Sequence, residues 1–219
     1  MTDHSFWHNK WEKNEIGFHL QNFHPLLEKY SEQIFSGHTD IFVPLCGKTA
    51  DLRYLSRLDK KVVGVELSEI AAKAFYQEQF EILNPVSKTT DKKMFQRYSE
   101  QNVQILVGDY FSLNSSLLNN ATGIYDRAAL VALPEDMRKL YVEQIKNICP
   151  TASMLLIALD YEQSKMSGPP FSVVPQEINQ LFSFAKIKQL SRKNIIDKEP
   201  KFISKGLTSF YQTAYHISW

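Results

Sequence analysis

From residue 40 onward, short apolar runs alternate with stretches whose apolar residues recur every three or four positions. The first run, Asp40-Ile41-Phe42-Val43-Pro44-Leu45, is closed by Cys46-Gly47-Lys48 and reads as a buried strand. Leu52, Leu55 and Leu58 follow at three-residue steps, which suits a helix packed on a sheet. Residues 61–67 (Lys-Val-Val-Gly-Val-Glu-Leu) form a second strand with Glu66 at its carboxyl end. Ser68 is a natural N-cap for a helix running toward Phe80. Residues 84–102 are polar and mixed in charge, and read as a mobile, partly helical excursion. A third strand spans 103–109 and a fourth 123–127, a helix spans 134–148, and a fifth strand spans 153–160. Pro175 is placed to open a helix through Phe182. Two strand-like stretches, 185–190 and 207–217, end the chain.

Strands alternating with helices predict an α/β fold with a mostly parallel sheet and helices on both faces. The last two stretches break the alternation and predict a terminal antiparallel pair, for seven strands in all. The N-terminal residues 5–30 differ in kind: Phe6, Trp7, Trp11, Ile16, Phe18 and Phe23 are scattered among charges, and Trp7 and Trp11 share one helix face.

Composition narrows the function. The 219 residues suffice for one α/β domain, and 43% apolar with 22% charged residues is ordinary globular material. A formal net charge of +1 gives no broad basic field, so a small molecule is expected as partner rather than nucleic acid. No run of eighteen apolar residues occurs and the N-terminus lacks the pattern of a secretory signal, so neither membrane insertion nor export is expected. Cys46 and Cys149, far apart, make neither a disulfide framework nor a metal cluster, which suits the reducing cytoplasm. His4 and His8 have helical spacing but no further ligands to complete a metal site.

Ligands of open α/β sheets bind at the carboxyl ends of the strands. The residues there are Leu45-Cys46-Gly47, Glu66, Asp109-Tyr110 and Asp126-Arg127. Glu66 lies nineteen residues past Gly47, the place of an acid that accepts from both ribose hydroxyls. Gly47 stands alone, without the other glycines needed to bring backbone up to a pyrophosphate, which argues against a nicotinamide oxidoreductase. A phosphate-binding loop is excluded too, because Phe42 occupies the position of its first glycine. Asp109 could accept from an adenine amino group, with Tyr110 giving an amide or ring contact, or it could cap a turn. Arg127 could hold negative charge on a substrate, or brace its loop through Asp126. Cys46 reads as packing before it reads as a nucleophile.

The chain resembles the thiopurine S-methyltransferases nearly end to end. The resemblance is carried by Trp7-x-x-x-Trp11 with Ile16-Gly17-Phe18-His19, Val43-Pro44-Leu45-Cys46-Gly47-Lys48 and Val63-Gly64-Val65-Glu66-Leu67-Ser68-Glu69. Gly108-Asp109-Tyr110-Phe111, the block from Tyr125 to Pro134, and Gly168-Pro169-Pro170-Phe171 complete it. It implies a single domain over 1–219, a Rossmann-like class I methyltransferase sandwich with residues 1–30 closing over the cofactor as a lid. It implies S-adenosyl-L-methionine as cofactor, held by Trp11, Leu45, Glu66, Asp109, Tyr110 and Arg127. Phe18 would face the acceptor and Arg127 would serve catalysis. The acceptor it implies is a small aromatic or heterocyclic thiol, with selenium and tellurium species also admitted, and the working unit a monomer. Tyr54 replaces a common tryptophan, Leu58-Asp59-Lys60 a frequent glycine-histidine turn, and Lys201 stands where an arginine is frequent. A non-catalytic S-adenosylmethionine sensor is the alternative, against which the Asp126-Arg127 block and the aromatic N-terminal segment speak for turnover.

Overall fold

The computed structural model describes residues 4–17, 19–89 and 94–219, and its chain divides into two compact units, Met1–Tyr125 and Asp126–Trp219. The first unit begins with two helices, α1 (His4–Glu12) and α2 (Pro25–Phe35). Helix α2 has Pro25 at its first turn, where no amide proton is needed, and the His24 ring accepts from the Leu26 N–H at 3.2 Å. Strand β1 (Asp40–Val43), helix α3 (Asp51–Arg57), strand β2 (Lys61–Glu66) and helix α4 (Glu69–Phe80) follow. Ser68 caps α4 as its sequence position indicates, accepting from the Ala71 N–H.

Strands β3 (Lys88–Thr89), β4 (Gln96–Glu100), β5 (Val103–Val107) and β6 (Gly123–Arg127) complete the order β3-β4-β5-β2-β1-β6. The four strands β5-β2-β1-β6 pair in parallel. Ile41, Phe42, Val62, Val63, Val65, Ile105 and Leu106 are buried, the near-continuous apolar content of parallel strands covered on both faces. Leu52 and Leu55 of α3 and Phe75 and Tyr76 of α4 are buried as well. Gly64 permits close packing here, since a Cβ on it would lie 2.6 Å from Cys46 Sγ.

The polar excursion is corrected by the structure. Its described part is an antiparallel hairpin, with β3 on β4 and β4 on β5, rather than partly helical. Within β4 Tyr98 is the one buried residue, with Phe95 buried just before the strand, while the other β4 residues are polar.

In the second unit, α5 (Glu135–Ile148) leads to β7 (Ser153–Asp160), then α6 (Pro175–Leu181), β8 (Lys186–Asn194), the short α7 (Pro200–Ile203) and β9 (Tyr211–Ser218). Strand β9 lies between β7 and β8 and is antiparallel to both, which is the expected terminal pair. The described residues thus form nine strands where seven are expected, the two extra being the β3–β4 hairpin. Among the described residues strand β8 pairs with β9 alone, and it carries Lys186, Lys188, Arg192 and Lys193, charges that discourage pairing with another chain. Among the described residues no helix is long and apolar enough to cross a membrane.

Candidate functional site

Parallel register brings the carboxyl ends of β1, β2 and β5 side by side. The turn after β1 is tied to β2 by Cys46 N–H to the Val65 carbonyl at 2.9 Å, and β5 is tied to β2 by Gly108 N–H to the Glu66 carbonyl at 2.9 Å. Leu45, Glu66 and Asp109 therefore share one edge.

Glu66 is the centre of that edge. Its Oε2 accepts from the Gly47 N–H and its Oε1 from the Ser68 N–H, each at 2.8 Å, and the residue is only 6% exposed. Burial raises its carboxyl above the ordinary value, against the pull of the Ser68, Gly47 and Leu67 amides. Each carboxylate oxygen has a second acceptor direction. Two fixed amides orient those directions, so the group is a pre-set acceptor for paired hydroxyls.

The turn itself is left-handed at two places, Leu45 with φ +44° and Gly47 with φ +55°. Trp11 lies over it: a Cβ on Gly47 would sit 3.3 Å from Trp11 Cζ2. Trp11 is 7% exposed, whereas Trp7, on the same helix, is half-buried. At the other end of α1, His4 Nε2 lies 3.9 Å from Asp109 Oδ1. Helix α1 thus reaches from the loop after β5 to the turn after β1, across the strand ends.

Asp109 caps the single turn of 3₁₀ helix Tyr110–Ser112, its Oδ1 accepting from the Phe111 N–H at 3.0 Å. The capping role foreseen for it is therefore filled, and a side chain still 34% exposed leaves surface for a ligand. Tyr110 is buried and its ring meets Phe111 edge-on. Phe18 lies outside the described residues. Cys46 is packing: burial, and secondarily the charge of Glu66, push its thiol well above the usual range, so no thiolate is available for nucleophilic work.

Arg127 ends β6 and is half-buried. Its neighbour Asp126 is fully buried, with Oδ1 accepting from the Ala129 and Leu130 amides at 3.1 and 3.2 Å and Oδ2 from the Tyr141 hydroxyl at 2.7 Å. Those donors replace the bracing salt bridge to Arg127, and among the described residues Arg127 forms no ion pair.

Burial raises the Asp126 carboxyl from 3.8 to about 6. The folded state then holds a proton that the unfolded state has lost, so stability falls as pH rises between these values. The contribution is about 3 kcal/mol, present in full below the lower value and gone above the upper. Asp126→Asn keeps the acceptor for both amides and can donate to Tyr141. Urea unfolding at pH 4 and pH 7 should show the variant gaining on the wild type at the higher pH. An unchanged difference would mean that the carboxylate stays ionised in the fold.

Three buried residues that the sequence pattern does not mark stand next to this edge. Asp51 Oδ1 accepts from the His24 N–H and its Oδ2 from the Tyr125 hydroxyl, each at 2.8 Å. An acid in the first turn of a helix is so common that it gives no signal of such a role.

Comparison with known proteins gives the family and the fold. A family model described as Thiopurine S-methyltransferase matches residues 2–218. A protein of Vibrio atlanticus named thiopurine S-methyltransferase is 43% identical over 219 residues, covering 99% of this chain and 98% of its own. One of the same name from Shewanella pealeana is 38% identical over 216 residues, covering 97% of each. Among solved structures, a SAM-dependent methyltransferase from Anabaena variabilis superposes with a TM-score of 0.62 at 12% identity, covering 99% of this chain and 95% of that one. The Burkholderia thailandensis 1,6-didemethyltoxoflavin-N1-methyltransferase, solved with S-adenosylhomocysteine, gives 0.60 at 12% identity, covering 97% and 86%. These two likenesses establish the class I methyltransferase fold.

Proposed function

The chain belongs to the thiopurine S-methyltransferase family, and from that premise we propose that it methylates the sulfur of a small aromatic or heterocyclic thiol. It is an S-adenosylmethionine-dependent methyltransferase. The observation that supports the site reading best is Glu66, a buried carboxyl group oriented by two amides, one of them from the Gly47 turn on which Trp11 lies. These residues fit the cofactor: the edge has an acceptor for a ribose diol, a glycine where a side chain would crowd Trp11, and no demand for a pyrophosphate cradle.

When bound, S-adenosylmethionine supplies a methyl carbon made electrophilic by a sulfonium. In this reading Glu66 holds the ribose hydroxyls, and the exposed part of Asp109 accepts from the adenine amino group beside Tyr110. Leu45 and Trp11 wall the cofactor and exclude water, with aromatic faces favouring the sulfonium charge. Arg127 holds the acceptor's negative sulfur in line with the methyl carbon. Held there, S-adenosylmethionine would supply the methyl group to the thiolate, with S-adenosylhomocysteine as the leaving group. Aromatic thiols are largely ionised near neutral pH, so no side chain has to remove the proton. Selenium and tellurium nucleophiles fit the same displacement. The formal charge of +1 favours a small acceptor over a polyanion, and the reading takes the whole chain as one monomeric domain with residues 1–30 as its lid.

The test is incubation with labelled S-adenosylmethionine and matched aryl thiol, phenol and aniline acceptors, followed by product mass. Methylation of the thiol alone is expected. Turnover confined to the oxygen or nitrogen acceptor would overturn the sulfur assignment. Cofactor binding without turnover on any of them would favour a sensor.

A further inference from the structure

The turn that carries Leu45 and Gly47 runs directly into α3, and its next buried polar group is Asp51. Asp51 is 1% exposed, yet its two carboxylate oxygens take bonds from very different parts of the first unit. One comes from the backbone N–H of His24, the residue at which the N-terminal segment ends and α2 begins. The other comes from the Tyr125 hydroxyl on β6, two residues before Arg127. His24 is itself fixed, since its ring caps α2 through the Leu26 N–H and its carbonyl accepts from Leu27 and Glu28.

Among its described residues, the N-terminal segment meets the turn 45–51 near its start, where the Trp11 ring lies against Gly47. At its end, the His24 N–H donates to the buried carboxyl group of Asp51 at 2.8 Å. That bond is not lost cheaply, because breaking it would leave a polar group unsatisfied in the core.

We infer that Asp51 is a positioning residue for the methyl-transfer site, the fixed fastening from which the Trp11 segment is aimed at the cofactor turn. The inference rests on reading the 45–66 edge as the cofactor site. Its role is indirect: it sets where the segment leaves α2, and so where Trp11 falls. Cofactor affinity and the order of the segment should depend on Asp51 together, in a way that general loss of stability does not reproduce.

The experiment compares Asp51→Ala, Asp51→Asn and Tyr76→Phe with the wild type. Tyr76→Phe removes a buried hydroxyl bonded to the Tyr98 and Val103 carbonyls, so it lowers stability away from the site. Amide hydrogen exchange of the free proteins over residues 4–17 and 19–24 is read first, then calorimetric binding of S-adenosylhomocysteine. For Asp51→Ala we expect faster exchange over both stretches and affinity lower by roughly tenfold. Asparagine can accept from the His24 N–H and donate to the Tyr125 oxygen, so Asp51→Asn should recover most of both. Tyr76→Phe should lower the melting temperature without either effect. Wild-type exchange in Asp51→Ala, or equal changes in Tyr76→Phe, would overturn the positioning role. Loss of ligand binding already in the wild type would instead count against the cofactor site, while the exchange data still decide the fastening.

Discussion

Glu66→Ala should weaken S-adenosylhomocysteine binding by roughly tenfold to a hundredfold, about 1–3 kcal/mol. Two losses combine. The ribose hydroxyls lose their acceptor, and the Gly47 and Ser68 amides, now facing a void, lose theirs. The second loss also loosens the turn on which Leu45 and Trp11 depend, so the melting temperature should fall with affinity. Glu66→Gln separates the contributions less gently than its size suggests. Its NH₂ must face either the Gly47 or the Ser68 N–H, donor against donor, so glutamine is no conservative replacement here. The pH dependence gives a further reading. Burial raises the Glu66 carboxyl, and hydroxyl donors prefer its ionised form, so wild-type affinity should decline as pH falls through that raised value. The glutamine variant should bind with no such decline. Calorimetry across pH, well below the melting temperature, measures both. Unchanged affinity in the alanine variant would remove Glu66 from the cofactor site.

Arg127→Ala should lower turnover of an aryl thiol on the order of a hundredfold, and Arg127→Lys on the order of tenfold, with little change in melting temperature. The fold gives the reason for the second half. Asp126 is satisfied by two amides and the Tyr141 hydroxyl, so removing the guanidinium strands no buried charge. The first half follows from the place of Arg127 at the end of a parallel strand, on the edge where such sheets bind ligands. Lysine keeps the charge but not the planar fork, so it should hold the acceptor sulfur in a broader range of positions. Steady-state kinetics beside melting curves decide the matter. Wild-type turnover in both variants would take Arg127 out of the mechanism, and parallel losses of rate and melting temperature would make it a structural residue.

What could be read along the chain was whatever the chain writes locally. Strands buried on both faces need continuous apolar runs, so β1, β2, β5, β6 and β7 announce themselves, and the chemistry falls just past their ends. The acid nineteen residues after Gly47, the caps at Ser68 and Asp109, and the terminal antiparallel pair are legible for the same reason. The β4 strand is not, because Tyr98 is its one buried residue among polar ones, which leaves no apolar run or alternation to read. Nor is the fastening at Asp51, whose partners lie 27 and 74 residues away. The meeting of Trp11 with Gly47 is of the same kind. Local pattern determined which residues could form elements and where those elements end. Which buried carboxylate meets which distant donor was decided only by packing, because such a bond forms after the elements are in place and leaves no period in the sequence.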